Sequence, residues 1–428
     1  MDESDFYGRL VPVRHDQIPA LPEGSMTIPA IKDGICQRCA TKINTTWRTP
    51  TSTYCWACAN LGRLSDDQFL ATIPEPNVFE TDAMPCQWQG ELTTAQRQVA
   101  DEQVQALKAG RSHLTYAVTG AGKTEMLFPM LTAALQAGKR IALVSPRVDV
   151  IVELAPRLRE AFKTDFVVLY GDSPETYRYT QLVLASTHQL LRFRAAFDVI
   201  VVDEVDAFPY AENVQLEGAV QRATKPQGCH FYLTATPSAR LLRDVSKQRL
   251  RISLLPRRYH GQPLPNFTII KIGNWRKKLS WRIQRILREY VRSKQRFLIF
   301  VPHVADLTAT LNEITRLQPS LKIAATHAGD PDRQGKVQAM RASELQALIT
   351  TTILERGVTF KGIDVMILGA DDPVFSQAAL IQIAGRCGRS ASRPTGKVWT
   401  GVTERTRTVI QARNEIRYLN MKGKQYDV

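Results

Sequence analysis

Three clusters in the 428-residue sequence carry functional groups at intervals suited to catalysis or metal binding. In the first, an apolar stretch from Leu114 leads through Thr119-Gly120-Ala121-Gly122-Lys123-Thr124-Glu125 into a helical pattern that continues to Gln136. Glycines at such a turn let backbone N–H groups converge on phosphate oxygens, and the helix that follows adds the positive end of its dipole. Lys123 is placed to reach terminal phosphates and Thr124 to ligate Mg2+, so ATP and Mg2+ are expected here. Ala117 stands where the strict pattern has its first glycine. The second cluster, Asp203-Glu204-Val205-Asp206, closes the apolar run Val199–Val202, with Asp203 lying 80 residues beyond Lys123. A carboxylate at the end of a buried strand can hold a metal opposite a phosphate loop while its neighbour polarises water. Asp203 is therefore assigned to Mg2+ and Glu204 to the general base.

The third cluster is Cys36-Gln37-Arg38-Cys39 and Cys55-Trp56-Ala57-Cys58, separated by fifteen residues. Two such turns close a tetrahedral site of four thiolates with no open position, which is the chemistry of one structural zinc ion. Lys42, Trp47, Arg48, Tyr54 and Trp56 lie between or within the pairs. Basic and aromatic residues on a ribbon can stack on a nucleic-acid strand. Alternatively, Trp47 and Trp56 form the ribbon's own small core. Cys86 and Cys229 read as inert small hydrophobes.

These groups need rigid elements behind them. Short β-rich runs (Leu114–Val118, Arg140–Ser145, Phe166–Tyr170, Leu182–Ser186, Val199–Asp203, His230–Thr234) alternate with helical patterns, as expected for a buried parallel sheet. A Pro- and Gly-containing linker begins at Pro256. Beyond it the alternation resumes with Phe297–Val301, Ile323–Thr326, Ala347–Thr351, Val365–Leu368 and Lys397–Gly401. The expected organisation is a leader (1–30), a zinc ribbon (31–62), an extended connector (63–90) and two α/β domains (91–256 and 257–428).

Composition narrows the class of partner. The chain has 56 Lys+Arg against 41 Asp+Glu, a formal net charge of +15, which favours a polyanion. Residues 1–90 are net −4, residues 91–256 net +3 and residues 257–428 net +16, so the excess lies in the last part. No apolar run reaches the roughly 18 residues that span a bilayer, and the acidic start Met1-Asp2-Glu3-Ser4-Asp5 lacks a signal-peptide pattern. With seven cysteines, four of them in metal-type pairs, a reducing cytoplasm is expected. The segment Asn274–Phe300 is markedly basic, with an apolar stripe at helical spacing. Lys278, Arg282, Arg285, Arg292 and Arg296 are expected to share its outer face. That face is either a sequence-independent DNA contact or a dock for anionic lipid or a protein partner.

The order of motifs over most of residues 91–428 resembles superfamily 2 helicases. Leu92-Thr93-Thr94-Ala95-Gln96 is similar to the element whose Gln reads adenine. Ser145-Pro146-Arg147 and Ser186-Thr187-His188-Gln189 resemble strand-contacting motifs, which implies DNA contacts by Arg147, Thr187 and His188. Thr234-Ala235-Thr236-Pro237 resembles the motif coupling hydrolysis to lobe movement. Thr350 to Thr359, with Thr351 and Gly357, resembles a motif touching nucleotide and nucleic acid. Gln382-Ile383-Ala384-Gly385-Arg386-Cys387-Gly388-Arg389 resembles the arginine-finger motif. The resemblance implies Arg389 as finger, Arg386 as a second phosphate contact and Gln382 beside them. Between those arginines, Cys387 is expected to make the ATPase sensitive to alkylation. The implied fold is α/β, with two RecA-like parallel-sheet lobes preceded by a small four-cysteine zinc ribbon.

The ribbon ahead of the lobes, the Asp-Glu-Val-Asp box and the stretch Ser145–Leu154 are together similar to the ComFA family of late-competence helicases. That resemblance implies an ATPase stimulated by single-stranded DNA that pulls transforming DNA into the cytoplasm. It would work at the inner face of the membrane, in peripheral association, with the channel protein ComEC, ComFC and DprA as partners. A primosomal replication-restart helicase is the alternative enzyme, although its cysteines fall between second-lobe motifs. A D-E-A-D-type RNA helicase fits less well, because the box here ends Val205-Asp206 and the later motif is Thr-Ala-Thr. A zinc-dependent DNA-binding scaffold with a vestigial nucleotide site is opposed by the intact Lys123, Asp203, Glu204 and Arg389.

Overall fold

Runs of aliphatic and β-branched residues buried along their whole length form the centre of each α/β sheet. In Ile141–Ser145 and Leu182–Ser186, for example, every residue is buried. The computed structural model describes residues 2–356, 358, 360–388 and 395–425. Packing divides the chain into one unit of Met1–Thr115 with Lys123–Leu254, and another of Tyr116–Gly122 with Leu255–Val428.

The first α/β sheet has seven strands. Their order is Arg251–Leu255, His113–Ala117, Thr224–Thr234, Phe197–Asp203, Ile141–Ser145, Leu182–Ser186 and Phe166–Leu169. Phe197–Asp203 pairs in parallel with both neighbours, placing Asp203 beside Leu233 at the carboxyl end. Thr94–Lys108 begins at a reciprocal cap, in which Thr93 and Gln96 each bond the other's backbone N–H. Helices Lys123–Gln136 and Val148–Ala161 cover one face of the sheet. Val214–Ala223 lies on the other, packed with the cysteine ribbon.

The segments expected as leader and connector are parts of one folded element. Val11–Arg14 and Met26–Pro29 flank Gln68–Thr72 in a three-stranded antiparallel sheet, so the ribbon is an excursion between its strands. Local sequence hid this, because the strands are short and their partners lie far along the chain. The element is fastened to the α/β sheet by Leu10 N–H to Arg192 O (2.7 Å) and Arg194 N–H to Gly8 O (2.8 Å). Gly8 has φ +61°, and a Cβ there would stand 2.6 Å from that of Ala196, so a side chain is excluded. Beneath it, fully buried Arg140 pairs with fully buried Glu75 and donates to Tyr7 O (3.1 Å), Thr180 O (3.2 Å) and the Tyr177 hydroxyl (3.0 Å).

The second sheet has six parallel strands. Their order is Phe267–Lys271, Val398–Val402, Asp364–Leu368, Phe297–Phe300, Ala347–Thr350 and Ile323–Thr326. Helix Trp281–Ser293 buries Ile283, Ile286, Leu287 and Tyr290 and exposes Arg282, Arg285, Arg288 and Arg292. It stops at Lys294, whose φ of +52° breaks the pattern. Arg296 consequently leaves the expected outer face and donates to Met340 O (2.9 Å) and Lys361 O (2.6 Å). Among the described residues no helix is long and apolar enough to cross a membrane.

Candidate nucleotide site and metal centre

Strand His113–Ala117 runs into the turn at Val118–Gly122 and then into helix Lys123–Gln136. Gly120 and Gly122 have φ of +83° and +75°, a left-handed geometry that turns successive N–H groups toward a common point. Lys123 opens the helix and Thr124 follows in its first turn, while Glu125 pairs with Arg157. Ala121 is buried. Gln96 is buried too, and its Oε1 accepts the Thr93 N–H at 2.9 Å.

The carboxylate loop follows the strand end in the same unit as Lys123. Burial pushes the Asp203 carboxyl up to about 6, the nearby Lys123 ammonium pulls it down, and Glu204 adds to the rise. That balance suits a ligand awaiting a cation. Glu204 sits at φ +53°, a left-handed conformation disfavoured for a residue with a Cβ and tolerated where function requires it. Its N–H donates to Asp203 Oδ1 at 2.8 Å. Asp206 accepts the Thr234 hydroxyl at 2.7 Å and also the Thr236 hydroxyl, while Thr234 Oγ1 accepts the Thr236 N–H at 2.9 Å. The Asp203–Asp206 loop and the Thr-Ala-Thr segment are therefore one hydrogen-bonded assembly.

Other predicted contacts of this unit fall at the carboxyl ends of neighbouring strands. Arg147 caps helix Val148–Ala161 and forks onto Asp149 (3.1 and 2.9 Å). Thr187 is buried and His188 exposed, at the start of the 3-10 turn Thr187–Arg192.

In the second unit, Thr351 is buried before the turn Thr352–Leu354. Gln382 Oε1 accepts the Thr119 hydroxyl at 2.9 Å. A Cβ on Gly385 would lie 2.5 Å from that of Thr119, so this approach needs glycine. Arg386 is buried, with Nε donating to Glu355 O at 2.8 Å and Nη1 to Val358 O. In this arrangement its guanidinium braces the Glu355–Val358 segment. Cys387 is fully buried, with its thiol on Lys397 O (3.5 Å), which opposes the expected sensitivity to alkylation. Arg389, Gly357 and Thr359 lie outside the described residues.

One residue was hidden in the supposed linker. Arg258 is buried and donates to Cys387 O (2.8 Å) and Gly385 O (3.3 Å), and the adjoining Tyr259 N–H donates to Gly120 O (2.9 Å). Burial lowers its pKa to about 10. Its signal was a buried cation's usual need for carbonyl partners, which a Pro- and Gly-rich context masks.

The cysteines converge within the first unit. All four are buried, and their sulfurs lie within 4.8 Å of one another, with separations of 3.5, 3.6 and 3.8 Å. Four sulfurs each about 2.3 Å from a common ion would sit about 3.8 Å apart, so the cluster fits a tetrahedral metal and not a disulfide. Arg38 donates to Cys58 Sγ from Nε (3.3 Å) and Nη2 (3.1 Å), a cationic outer shell for a thiolate.

Two family descriptions match the chain. The DEAD/DEAH box helicase family covers residues 93–245 and the helicase conserved C-terminal domain covers residues 281–391. The chain is 39% identical over 395 residues to the competence protein ComFA of Streptococcus pneumoniae, covering 91% of this chain and 90% of that protein. It is 38% identical over 373 residues to ComFA of Bacillus subtilis, covering 86% and 80%. In fold it resembles S. cerevisiae Dbp5 bound to RNA and ADP BeF3, with a TM-score of 0.55 at 14% identity, covering 77% of this chain and 88% of that one. The two parallel sheets are RecA-like lobes, the enzyme is an ATP-dependent helicase of superfamily 2, and the chain belongs to the ComFA competence-protein family.

Proposed function

We propose that this chain couples ATP hydrolysis to movement along single-stranded DNA and so drives uptake of transforming DNA. The observation that carries the reading is the pair of threonine hydroxyls, Thr234 and Thr236, held on Asp206. Any shift of the Asp203–Asp206 loop on hydrolysis is transmitted through those bonds to the neighbouring strand end. Arg147, Thr187 and His188 stand at the carboxyl ends of strands in the same sheet and would exchange grip on the phosphate backbone.

In the hydrolytic step, Lys123 and the N–H groups of Gly120–Gly122 hold the phosphates, and Gln96 reads the adenine. Glu204 orients the attacking water and accepts its proton. Thr124 and Asp203 would hold Mg2+, which when bound would supply neutralisation of phosphate charge. By family resemblance Arg389 acts as the finger, Arg386 and Gln382 belong to the same motif, and Gly357 and Thr351 report the nucleotide state. The four cysteines would hold one zinc ion, which would stabilise the ribbon. Arg282 and Arg285 offer an outer basic face for DNA or for anionic lipid. By family resemblance the protein works in the cytoplasm at the inner face of the membrane, with ComEC, ComFC and DprA.

The test is displacement of streptavidin from a biotinylated single-stranded oligonucleotide. ATP should accelerate release, and Glu204→Gln should abolish the acceleration. Release that does not depend on ATP would contradict translocation.

A further inference from the structure

The two ribbon tryptophans have opposite surroundings. Trp47 packs partly into the apolar cluster beneath the cysteines, whereas Trp56 is 64% exposed. The small core is therefore complete without Trp56, and burial does not account for an indole at that position. Its backbone is nonetheless pinned on both sides. The flanking sulfurs of Cys55 and Cys58 are 3.6 Å apart, Cys55 N–H donates to Leu64 O (2.9 Å) and Ala59 N–H to Trp56 O (3.1 Å). The Tyr54 ring stands edge-on to it with centroids 6.3 Å apart, and the Arg63 guanidinium lies 5.8 Å from the Tyr54 centroid. Lys42, Arg48 and Arg63 are exposed on the same ribbon. Of the nearby acids, Asp66 accepts the Thr53 N–H (3.1 Å) and Asp67 the Ser65 hydroxyl (2.5 Å).

The ribbon is also bolted to a second surface of interest. Arg192 donates to Leu61 O at 3.2 Å, just past the Cys55–Cys58 knuckle, and Arg222 donates to Arg38 O at 3.1 Å, within the other knuckle. Arg192 closes the same short turn that begins with Thr187 and His188. An exposed ring on a pinned turn, a neighbouring aromatic edge and local cations are the parts of a stacking platform that accepts any base.

We propose that Trp56 stacks on a base of single-stranded DNA, with Tyr54 and Arg63 flanking it, and so extends the strand-contacting surface beyond Thr187 and His188. The proposal rests on the single-stranded DNA reading above. The test is fluorescence anisotropy of a labelled oligothymidylate with the full-length chain, repeated on an abasic strand of equal length. Zinc content and DNA-free ATP turnover are measured on the same preparations. Trp56→Ala should weaken oligothymidylate binding about tenfold and leave abasic binding, zinc and DNA-free turnover unchanged, and Trp56→Phe should retain most of the affinity. Unchanged affinity of Trp56→Ala would overturn the proposal and leave the ring to a protein partner. Equal weakening on both strands, or loss of zinc, would overturn it in favour of a structural role. A wild-type chain that binds neither strand would instead defeat the single-stranded DNA reading itself.

Discussion

The cysteine centre and the carboxylate loop are built in the same unit and treat solvent in opposite ways. All four cysteines are buried, and their four sulfurs would complete a tetrahedral shell without water. Asp203 and Glu204 are only partly buried at a strand end, where phosphate, metal and water would have to bind. A closed shell stores folding energy, whereas an open one is available for turnover. The contrast implies that the two centres fail separately.

Chelating the metal is the severest way to probe that separation. It should release one zinc ion and on the order of 10 kcal/mol of local folding free energy, seen as rapid hydrogen exchange across residues 31–64. DNA-free ATP turnover should persist, and its loss would mean that the ribbon supports the hydrolytic loop directly. The converse variant, Lys123→Ala, should lower turnover about a thousandfold, or ~4 kcal/mol, with zinc content unchanged.

A third variant addresses the scaffold common to both centres. Glu75→Ala strands the buried Arg140 cation and should cost about 3–5 kcal/mol in urea unfolding, with zinc still bound at neutral pH. A mildly acidic pH should act on the same scaffold more gently. Burial lowers His113 and His230 from 6.5 to about 4, so both stay neutral when folded and protonate first in the unfolded chain. The unfolded state then binds more protons between about pH 6.5 and 4, and stability must fall as pH drops through that window. The loss is at most about 3–4 kcal/mol per histidine, and His113→Gln should flatten the curve.

Both sheets and the three chemical clusters were largely legible because their signals are local. A fully buried strand reads as one apolar run, and each cysteine pair or phosphate turn is contiguous. What escaped depends on distant partners. Arg251–Leu255 and Phe267–Lys271 are edge strands whose exposed positions break the apolar run. Val11–Arg14 and Met26–Pro29 gain a sheet only through Gln68–Thr72. Arg258 reads as a linker cation until the Gly385 and Cys387 carbonyls are seen around it. Trp47 and Trp56 were equivalent by composition, and only tertiary packing separates the core residue from the exposed one.

The most direct test is steady-state ATP hydrolysis by the full-length chain with single-stranded DNA, duplex DNA or RNA of equal nucleotide concentration. Single-stranded DNA should stimulate turnover well above the other two, and the stimulation should vanish in Glu204→Gln. Equal stimulation by RNA, or turnover indifferent to any nucleic acid, would contradict a motor driven along single-stranded DNA.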